Sequence, residues 1–393
     1  MIEINNSKDR HETIQSSCIL GNNGVKFIHA SDIHFGCYQY RNEFRSDDYI
    51  RAFEEILKCA LDHQVNFIIL GGDIFTSLEM LPGKLLRIIN LLIDFKNRTN
   101  GRIPIIAIEG NHDIRKFSIG LKLSSRGQSW LKLISSLGLV VLLDADLEEN
   151  PNDIFKPYDI HQNQGGKILI KNVAIHGIRY IGQEPTKYLS KIRSAIKREE
   201  GMFNILIQHY GIEGQMKNVP GVKLEDVEIL KDRVDYLALG HFHKQFILDD
   251  WIYNPGSSEA ASWIDSTFRR GIFLVEISHK KKLTKKVRIL KLDNRRHQWE
   301  TIFLPYQLRN KREFYKIIFE KLGYRFKYIN DDLDASDLRM PVLYLVIKGK
   351  KPASSFKLNS KELKEKICER FPVIDVKVYQ KFQDPVRKLD KYL

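Results

Sequence analysis

Short runs of apolar, mostly β-branched residues recur along the first two-thirds of the chain, and each run ends in small and polar residues. The runs are VKFIHA (25–30), NFIILGG (66–72), IPIIAIEG (103–110), FNILIQH (203–209) and DYLALGH (235–241). Runs without an alternating polar position are typical of strands that are buried on both faces. The pattern therefore predicts an α/β fold in which helices cover the sheet.

Between the first two runs, the apolar positions follow the period of a helix instead. Residues 47–63 carry one apolar face, formed by Ile50, Phe53, Leu57, Ala60 and Leu61. A stripe of this kind is what a helix packs against a sheet. We expect the helix to begin at Ser46 or Asp47, because either side chain can accept a hydrogen bond from the first turn.

The pattern changes towards the carboxyl end. From about residue 299 it predicts a compact α+β unit with a helix (312–322), a strand (342–348), a helix (360–370) and a last strand (373–380). The preceding segment, 280–296, holds nine Lys or Arg and one acid, and contains the predicted strand VRILKL. Residues 144–166 are acidic and then contain Pro and Gly, which indicates a surface loop or hairpin.

These changes divide the chain into three parts. Residues 1–24 form a polar tail, residues 25–296 form the main domain, and residues 297–393 form the smaller α+β domain. With 393 residues, of which 43% are hydrophobic, the chain has enough apolar material for one large and one smaller core.

The net charge of +14 adds a preference for polyanionic partners. Each Lys or Arg that neutralises a phosphate releases counterions, although a basic surface also serves solubility. The four cysteines are Cys18, Cys37, Cys59 and Cys368. They form no CxxC pair, and so few cysteines fit a reducing compartment. No apolar run approaches the roughly 20 residues of a membrane span, and the tail lacks the apolar core of a signal peptide. We therefore expect a soluble intracellular protein without membrane contact.

Each of the five apolar runs ends in side chains that can bind metals. In chain order the clusters are Ser31-Asp32-Ile33-His34, Gly71-Gly72-Asp73, Gly110-Asn111-His112-Asp113, Gln208-His209 and Gly240-His241-Phe242-His243. Open α/β sheets place their active sites at the carboxyl ends of the strands, so the clusters should converge. This mixture of oxygen and imidazole ligands fits two divalent ions that share a bridging carboxylate.

The spacing within the clusters indicates how ions are shared. Asp32 and His34 are two residues apart, so an extended backbone would direct both side chains to one ion. His241 and His243 have the same spacing, but a local bend could direct them to different ions. Glycine before Asp73, before Asn111 and before His241 permits unusual backbone angles and a close approach of the backbone to a ligand.

Each cluster also has a purely structural interpretation. Asp at a strand end commonly forms a turn or a cap, and a single His is more often a packed or surface residue. Five such clusters in chain order, each at a strand end, are hard to explain by turns and caps alone. We therefore favour a metal centre.

The order DxH, GGD, GNHD, strand-end His and GHxH resembles the calcineurin-like metallophosphoesterases. The segments FIHASDIHFG, ILGGDIF, IAIEGNHD, LALGHFHK and YNPGSSEAASW…RRGIFLVEI are more similar to the nuclease subunit of the MRN/SbcCD DNA double-strand-break repair complexes, the SbcD-like exonucleases. The resemblance extends from about residue 25 to 383. It implies the metallophosphoesterase four-layer α/β/β/α sandwich with a smaller C-terminal α+β domain that caps the DNA.

The resemblance also implies a role for each matching residue. The metal ligands would be Asp32, His34 and His243 at one ion, Asn111, His209 and His241 at the other, and Asp73 between them. His112 would be the catalytic histidine, which meets the scissile phosphate without binding metal, and Asp113 would position its loop. Manganese is the usual ion of the family, and the same ligands suit magnesium, iron or zinc.

By the same resemblance, the chain would be a manganese-dependent DNA nuclease of the cytoplasm or nucleoid. It would act as a 3′-to-5′ exonuclease on duplex ends and as an endonuclease on single strands, as a homodimer with an SMC-like coiled-coil ATPase. In many relatives a pair of helices that docks on the ATPase follows the α+β unit, and no amphipathic pair follows Val378 here.

Two local features bear on DNA. Many relatives carry His or Asp at the position of Thr76, and Thr cannot relay a proton as His does, so we expect a weaker exonuclease. Residues 114–143 contain five Lys or Arg and no acid. We expect this segment to contact phosphates, although a solvated helix face would have the same composition.

Two alternative functions remain at this point. The chain could be a phosphodiesterase or phosphatase for small molecules or nucleotides, against which the basic surplus argues. It could also be a DNA-binding scaffold with an inactive site, against which the complete ligand set argues. Activity on bis-p-nitrophenyl phosphate without activity on DNA would identify the first, and absence of bound metal would identify the second.

Overall fold

The described part of the chain contains fifteen strands and seven α-helices, in a computed structural model that describes residues 24–114, 129–182, 185–279, 283–305, 308, 310–327, 334–350 and 358–383. The strands are β1 (Val25–Ala30), β2 (Phe67–Leu70), β3 (Ile105–Ala107), β4 (Val141–Leu142), β5 (Lys167–Ile170), β6 (Val173–Gly177), β7 (Phe203–His209), β8 (Tyr236–Gly240), β9 (Phe246–Leu248), β10 (Ile252–Asn254), β11 (Ile272–His279), β12 (Leu283–Leu290), β13 (His297–Phe303), β14 (Val342–Lys350) and β15 (Asp375–Gln383). The helices are α1 (Glu43–Asp62), α2 (Pro82–Arg98), α3 (Trp130–Ser136), α4 (Thr186–Ala195), α5 (Leu224–Val227), α6 (Lys311–Phe326) and α7 (Ser360–Arg370).

Strands β1 to β12 form two six-stranded sheets. The first has the order β12-β11-β1-β2-β3-β4, in which β1 to β4 are parallel and β11 and β12 are antiparallel additions. The second has the order β5-β6-β7-β8-β10-β9, in which the four central strands are parallel. Parallel neighbours end at the same edge, so the carboxyl ends of β1, β2 and β3 lie side by side, as do those of β7 and β8.

The two sheets face each other across an apolar core. In that core, the rings of Phe27 and Phe67 stack with centroids 4.9 Å apart, and Tyr236 of the second sheet meets Phe27 edge-on at 5.3 Å. A second core lies between the first sheet and α1 to α3, and a third lies between the second sheet and α4 and α5. The layers are therefore helix, sheet, sheet and helix, and the predicted four-layer sandwich is confirmed.

The apolar runs predicted as strands are β1, β2, β3, β7 and β8. The bounds of β1 and β7 are those predicted, and every residue of β7 is buried. Strand β3 begins after Pro104, which has no N–H to donate to a neighbouring strand, and ends three residues before the end of the predicted run. The predicted loop at 144–166 forms turns with an antiparallel bridge between Asp159 and Gln164.

Helix α1 begins a turn earlier than predicted, and the assignment of Ser46 or Asp47 as its N-cap is wrong. The cap is Asn42, whose side-chain oxygen accepts a hydrogen bond from the Phe44 N–H at 3.0 Å. The Ser46 N–H already donates to the Asn42 carbonyl at 3.3 Å, as in a helix interior. The apolar face predicted for this helix is buried against the first sheet.

Strands β13, β14 and β15 form a third sheet, which is wholly parallel. Helices α6 and α7 cover one of its faces, with a core of their own that includes Phe314, Leu345 and Ile367. Helix α7 has the predicted bounds, and α6 extends beyond the predicted 312–322. The division of the chain into domains stays a prediction. Of the helices within the described segments, none is both long and apolar enough to cross a membrane.

A buried ion network joins α1 to the residues that precede the third sheet. The Asp48 carboxylate accepts hydrogen bonds from Arg45 Nη1 at 2.6 Å and from Arg295 Nε and Nη2 at 2.6 and 2.9 Å. Arg295 also donates to the carbonyls of Asp337 and Met340. The side chains of both arginines are 0% exposed and that of Asp48 is 1% exposed, so the network is shielded from water.

Replacing Asp48 should therefore destabilise the whole fold. Asp48→Ala leaves two buried guanidinium groups without this carboxylate, and we expect the free energy of unfolding to fall by about 3–5 kcal/mol. Chemical denaturation measures the change. As a control, Glu320→Ala removes one member of the exposed Lys316–Glu320 pair and should cost less than about 1 kcal/mol. Equal effects of the two substitutions would contradict the prediction.

Candidate metal centre

The carboxyl ends of β1, β2 and β3 meet those of β7 and β8, and the predicted ligands lie at this junction. Hydrogen bonds join neighbouring loops: the Asp32 N–H donates to the Gly72 carbonyl and the His34 N–H to the Asp73 carbonyl, both at 3.0 Å. The His241 N–H donates to the Asp32 carboxylate at 3.1 Å, which joins the loop after β8 to the first sheet. The clusters predicted to converge do converge.

The first ligand group consists of Asp32, His34 and His243, with one ligating atom of each within 4.8 Å of the others. The Nε2 atoms of His34 and His243 are 3.0 Å apart. The Asp32 Oδ1 atom lies 4.0 Å from His34 Nε2 and 3.8 Å from His243 Nε2. This is the set of three residues that the sequence assigns to one ion.

The second ligand group consists of Asp73, His209 and His241, and it is equally compact. Asn111 lies among them, with its Oδ1 atom 3.2 Å from His209 Nε2 and 2.9 Å from His241 Nδ1. The Asp73 Oδ2 atom lies 3.3 Å from His209 Nε2. His241 and His243 thus belong to different groups, as a bend between them requires.

Asp73 also belongs to a third group, with His34 and His112. It therefore lies beside residues of both ligand groups, the position that a bridging carboxylate needs. Burial opposes ionisation of Asp73, but its contact with the His209 ring holds its pKa well below the usual range. Because His112 shares this third group, its role as a histidine that does not bind metal stays a prediction.

The backbone is left-handed, not extended, at four of the seven proposed ligands. The φ angles are +51° at Asp32, +54° at His34, +52° at Asp73 and +87° at His241. The expectation that Asp32 and His34 converge because they alternate along a strand is therefore wrong: β1 has already ended, and each residue is turned individually. Non-glycine residues in this region are held by their surroundings at a cost of order 1–3 kcal/mol each, and they cluster at functional sites.

Glycine is required where the loops touch. At Gly72, with φ +95°, an added Cβ would lie 2.5 Å from Nδ1 of His209. At Gly240, it would lie 2.3 Å from the Gly71 carbonyl oxygen. A larger residue at either position would push the two sheets' loops apart.

Other polar groups orient the histidine ligands from behind. His209 donates its Nδ1–H to the Gly71 carbonyl at 2.7 Å. The Nδ1 atom of His243 lies 2.8 Å from the Asp265 carboxylate, which also accepts hydrogen bonds from the N–H groups of Ala261 and Ser262. Such partners fix which ring nitrogen is left to bind a metal. Asp265 was not predicted from the sequence. Metal-binding histidines generally have such a partner, but no sequence pattern marks which residue provides it.

Burial and the carboxylates divide the histidines into two classes. Burial lowers the pKa of His34 to about 3 and that of His241 to about 4. Burial also acts on His209 and His243, but their contacts with Asp73 and Asp265 raise both pKa values to about 9. The site therefore holds two rings that stay neutral beside two that attract a positive charge.

The donor set fits metal ions. The His209 Nδ1–H donates a hydrogen bond to the Gly71 carbonyl, so the Nε2 atom of the neutral ring carries a lone pair. This lone pair lies next to the oxygens of Asn111 and Asp73. Three acceptors then converge, and they need a proton or a cation among them. Carboxylate, amide and imidazole ligands at two adjoining positions suit divalent ions.

His112 and Asp113 occupy the loop between the ligand groups. The His112 Nδ1 atom lies 3.0 Å from the Thr76 carbonyl, which only accepts, so Nδ1 carries a proton. The Thr76 hydroxyl donates to the His34 carbonyl at 3.1 Å. Asp113 accepts hydrogen bonds from three backbone N–H groups, among them that of Phe75 at 2.8 Å, and burial raises its pKa to about 8. It positions the loop, as expected.

The model of the calcineurin-like phosphoesterases matches residues 25–245, more than half of the chain. The chain belongs to this family. The predicted family is therefore confirmed, and with it the class of protein in which paired metal ions are expected.

This phosphoesterase is similar to curated proteins named DNA double-strand break repair protein Mre11. The one from Archaeoglobus fulgidus is 28% identical over 244 residues, which cover 60% of this chain and 50% of that protein. The one from Saccharolobus solfataricus is 27% identical over 224 residues, covering 57% and 51%. A double-strand break repair protein MRE11 from Oryza sativa subsp. indica is 26% identical over 311 residues, covering 65% and 41%. The chain thus spans about half the length of these relatives or less.

A solved structure of a dimetal phosphatase from Danio rerio aligns with 69% of this chain and 98% of its own, with a TM-score of 0.39 and 10% identity. A likeness at that level adds nothing to the family match.

The basic segment of the phosphoesterase is only partly described. Residues 115–128, which carry four of its five cations, lie outside the described residues, so the predicted phosphate contacts there stay a prediction. Lys132, the fifth, forms an ion pair with Glu109 at 3.8 Å. Residues 280–282 of the second basic run also lie outside the described residues.

Asp265 gives a test of the metal centre that does not depend on turnover. Asp265→Asn keeps an acceptor for the turn but removes the charge beside His243, and we expect manganese affinity to fall about 10- to 100-fold. Calorimetric titration of the metal-stripped protein measures the affinity. Asp232→Asn, at an exposed pair with Arg193, is the matched control. An Asp265→Asn protein that binds manganese as tightly as the control would remove Asp265 from the site.

Proposed function

We propose that this chain is a two-metal DNA nuclease that hydrolyses phosphodiester bonds in double-strand-break repair. The observation that carries the proposal is the position of Asp73, which belongs to ligand groups with both His34 and His209 in a chain similar to Mre11 proteins. A shared carboxylate of this kind is what two neighbouring ions need for hydrolysis of a phosphodiester.

In this proposal each ligand group holds one divalent ion. The ligands are Asp32, His34 and His243 at one ion, Asn111, His209 and His241 at the other, and Asp73 at both. When bound, the ions would polarise the phosphodiester and lower the pKa of a water molecule towards neutrality. We propose manganese as the ion, and the same donors accept magnesium, iron or zinc.

His112 would be the catalytic residue that is not a ligand. The His112 Nδ1–H donates a hydrogen bond to the Thr76 carbonyl, so the proton for the leaving oxygen has to come from Nε2. The Thr76 carbonyl thereby sets the orientation of the ring, and Asp113 holds the loop on which His112 lies.

The substrate we propose is DNA, both duplex ends and single strands. The net charge of +14 supports a polyanion as substrate, and the relatives are named for double-strand break repair. We further propose that residues 297–393 form a domain that caps the DNA, and that the protein works as a homodimer with an SMC-like ATPase near the nucleoid.

The direct experiment is a nuclease assay on end-labelled duplex and on circular single-stranded DNA with manganese or magnesium. We expect manganese-dependent cleavage, together with two bound ions per chain by elemental analysis. Hydrolysis of bis-p-nitrophenyl phosphate without cleavage of either DNA would favour a small-molecule phosphodiesterase. Absence of bound metal would favour an inactive DNA-binding scaffold.

His112→Ser tests the division between ligands and catalyst. Removing a donor to the transition state typically lowers the rate by about two to three orders of magnitude, so we expect that loss at nearly normal metal content. The rate is measured on single-stranded DNA, and the metal by elemental analysis of the same sample. His161→Ser, at an exposed turn position, is the control. Loss of one metal ion in His112→Ser would make His112 a ligand.

Thr76→His tests the balance between the two nuclease activities. The Thr76 hydroxyl already donates a hydrogen bond to the His34 carbonyl, and unlike a histidine ring it cannot take up and release a proton at neutral pH. A duplex end must be unpaired and held in register, so it loses more from a missing positioning group than a flexible strand does. We expect cleavage of circular single strands to exceed degradation of duplex ends, and Thr76→His to raise the exonuclease share.

The ratio of the two activities on one preparation cancels differences in metal loading. Thr76→Ser keeps the hydroxyl and is the matched control. Faster degradation of duplex ends by the wild type, unchanged in Thr76→His, would show that the argument about this position is wrong.

A further inference from the structure

The third sheet has one face that the helices do not cover. Its first row across β13, β14 and β15, His297–Val342–Asp375, has buried side chains. Three rows follow it: Trp299–Tyr344–Lys377, Thr301–Val346–Tyr379 and Phe303–Lys348–Lys381. Partners in register point to the same side, and alternate residues along a strand share a face. The opposite side carries the residues that pack on α6 and α7. We call these three rows, with the neighbouring Trp263, the aromatic face.

The rings of the aromatic face form a layer that is partly open to solvent. Trp299 stacks on Tyr344 with centroids 4.5 Å apart and on Tyr379 at 5.9 Å, each with an interplanar angle of 14°. Trp263 meets Trp299 at 6.0 Å and 66°. Trp263 is 48% exposed, Trp299 38% and Phe303 68%. Tyr344 is buried beneath them, so a structural role explains Tyr344 but not the exposed rings.

Cations flank the exposed rings. The three rows contain Lys348, Lys377 and Lys381 and no Asp or Glu. The Lys348 Nζ atom lies 5.6 Å from the ring centroid of Phe303, and the Lys377 Nζ atom lies 4.1 Å from that of Tyr40. Rings interleaved with lysines favour a polyanion that also offers flat, unpaired groups.

That combination distinguishes single-stranded DNA from the other partners of the same charge. A duplex hides the faces of its bases within its own stack, so it offers the aromatic face only phosphates. An unpaired strand offers both phosphates and bases, and every base has a face that can stack on an aromatic ring.

The aromatic face adjoins the candidate metal centre. Trp263 lies in the turn that Asp265 closes by accepting hydrogen bonds from the N–H groups of Ala261 and Ser262. The same Asp265 carboxylate contacts His243. The Trp299 ring N–H donates to the Ser266 hydroxyl at 3.2 Å, which fixes the third sheet against this turn.

We propose that the aromatic face binds unpaired bases of single-stranded DNA and holds the strand beside the metal centre. The inference rests on the proposed nuclease function and adds to it a subsite that selects unpaired strands. It assigns Trp263 and Trp299 as the rings on which bases stack and the three lysines as the groups that contact the phosphates.

The test compares ligands of equal charge in the absence of divalent metal. The full chain is titrated in EDTA with a labelled oligothymidine of about 15 nucleotides and with an abasic strand of the same length. We expect oligothymidine to bind at least about fivefold more tightly, the lower limit for one base stacked on an aromatic ring. Trp263→Ala should lose about five- to a hundredfold in affinity for oligothymidine and little for the abasic strand, while Trp263→Phe should retain most of it.

Tyr324→Ala is the matched control, because Tyr324 is an 82% exposed ring on α6, on the other side of the third sheet. Thermal unfolding of each variant checks the fold. Trp299→Phe keeps a ring over Tyr344 and serves as a second variant if Trp263→Ala is unstable. We expect Trp299→Phe to weaken oligothymidine binding by a smaller factor than Trp263→Ala does.

The outcomes separate this inference from the proposed function. Equal binding of the two strands by the wild type would overturn the inference and assign the aromatic face to another class of partner, even if DNA is cleaved with manganese. Unchanged binding of oligothymidine by both Trp263→Ala and Trp299→Phe would also overturn it. Selective binding that depends on Trp263, without any cleavage of DNA, would support the aromatic face and contradict the nuclease.

Discussion

The requirement that atoms from five strand ends meet at one place governs the architecture. Two sheets contribute those ends, and their loops approach so closely that a Cβ at Gly72 would lie 2.5 Å from Nδ1 of His209, at the end of β7. The parallel strands serve this requirement, because they bring successive chain segments to the same edge. The helices on the outer faces bury those strands and leave the edge itself to the polar loops.

The same requirement explains where the backbone departs from regular structure. His209 reaches the site from the end of β7 itself, whereas the other four runs supply their ligands from the loops that follow the strands. Left-handed residues at Asp32, His34, Asp73 and His241 turn the chain out of the sheet at the last possible position. Strain is thus concentrated in a few residues that the surrounding packing holds in place.

Much of this was readable from the sequence, because strands buried on both faces leave an uninterrupted apolar run. The ligand clusters follow those runs directly, so their residues and their convergence could be predicted together. Asp265 and the cap at Asn42 could not be predicted, since each depends on contacts made after the chain has folded. The left-handed turns could not be predicted either, because an Asp or a His in the sequence does not indicate the φ angle that a particular loop imposes on it. The aromatic face was not foreseen either, since its rows combine residues from three strands far apart in the sequence.

The contacts between the third sheet and the sandwich also determine how force travels through the molecule. Arg295 holds the loop before β14 and the Asp48 carboxylate at once, and the Tyr40 and Tyr344 hydroxyls are 2.8 Å apart. Tyr40 lies six residues after His34 along the chain. Sliding the third sheet away would leave buried charges without their partners, which costs free energy. A load applied to the third sheet therefore reaches α1 and the chain that follows His34 through these two contacts, which places the ligand loop next to the loaded segment.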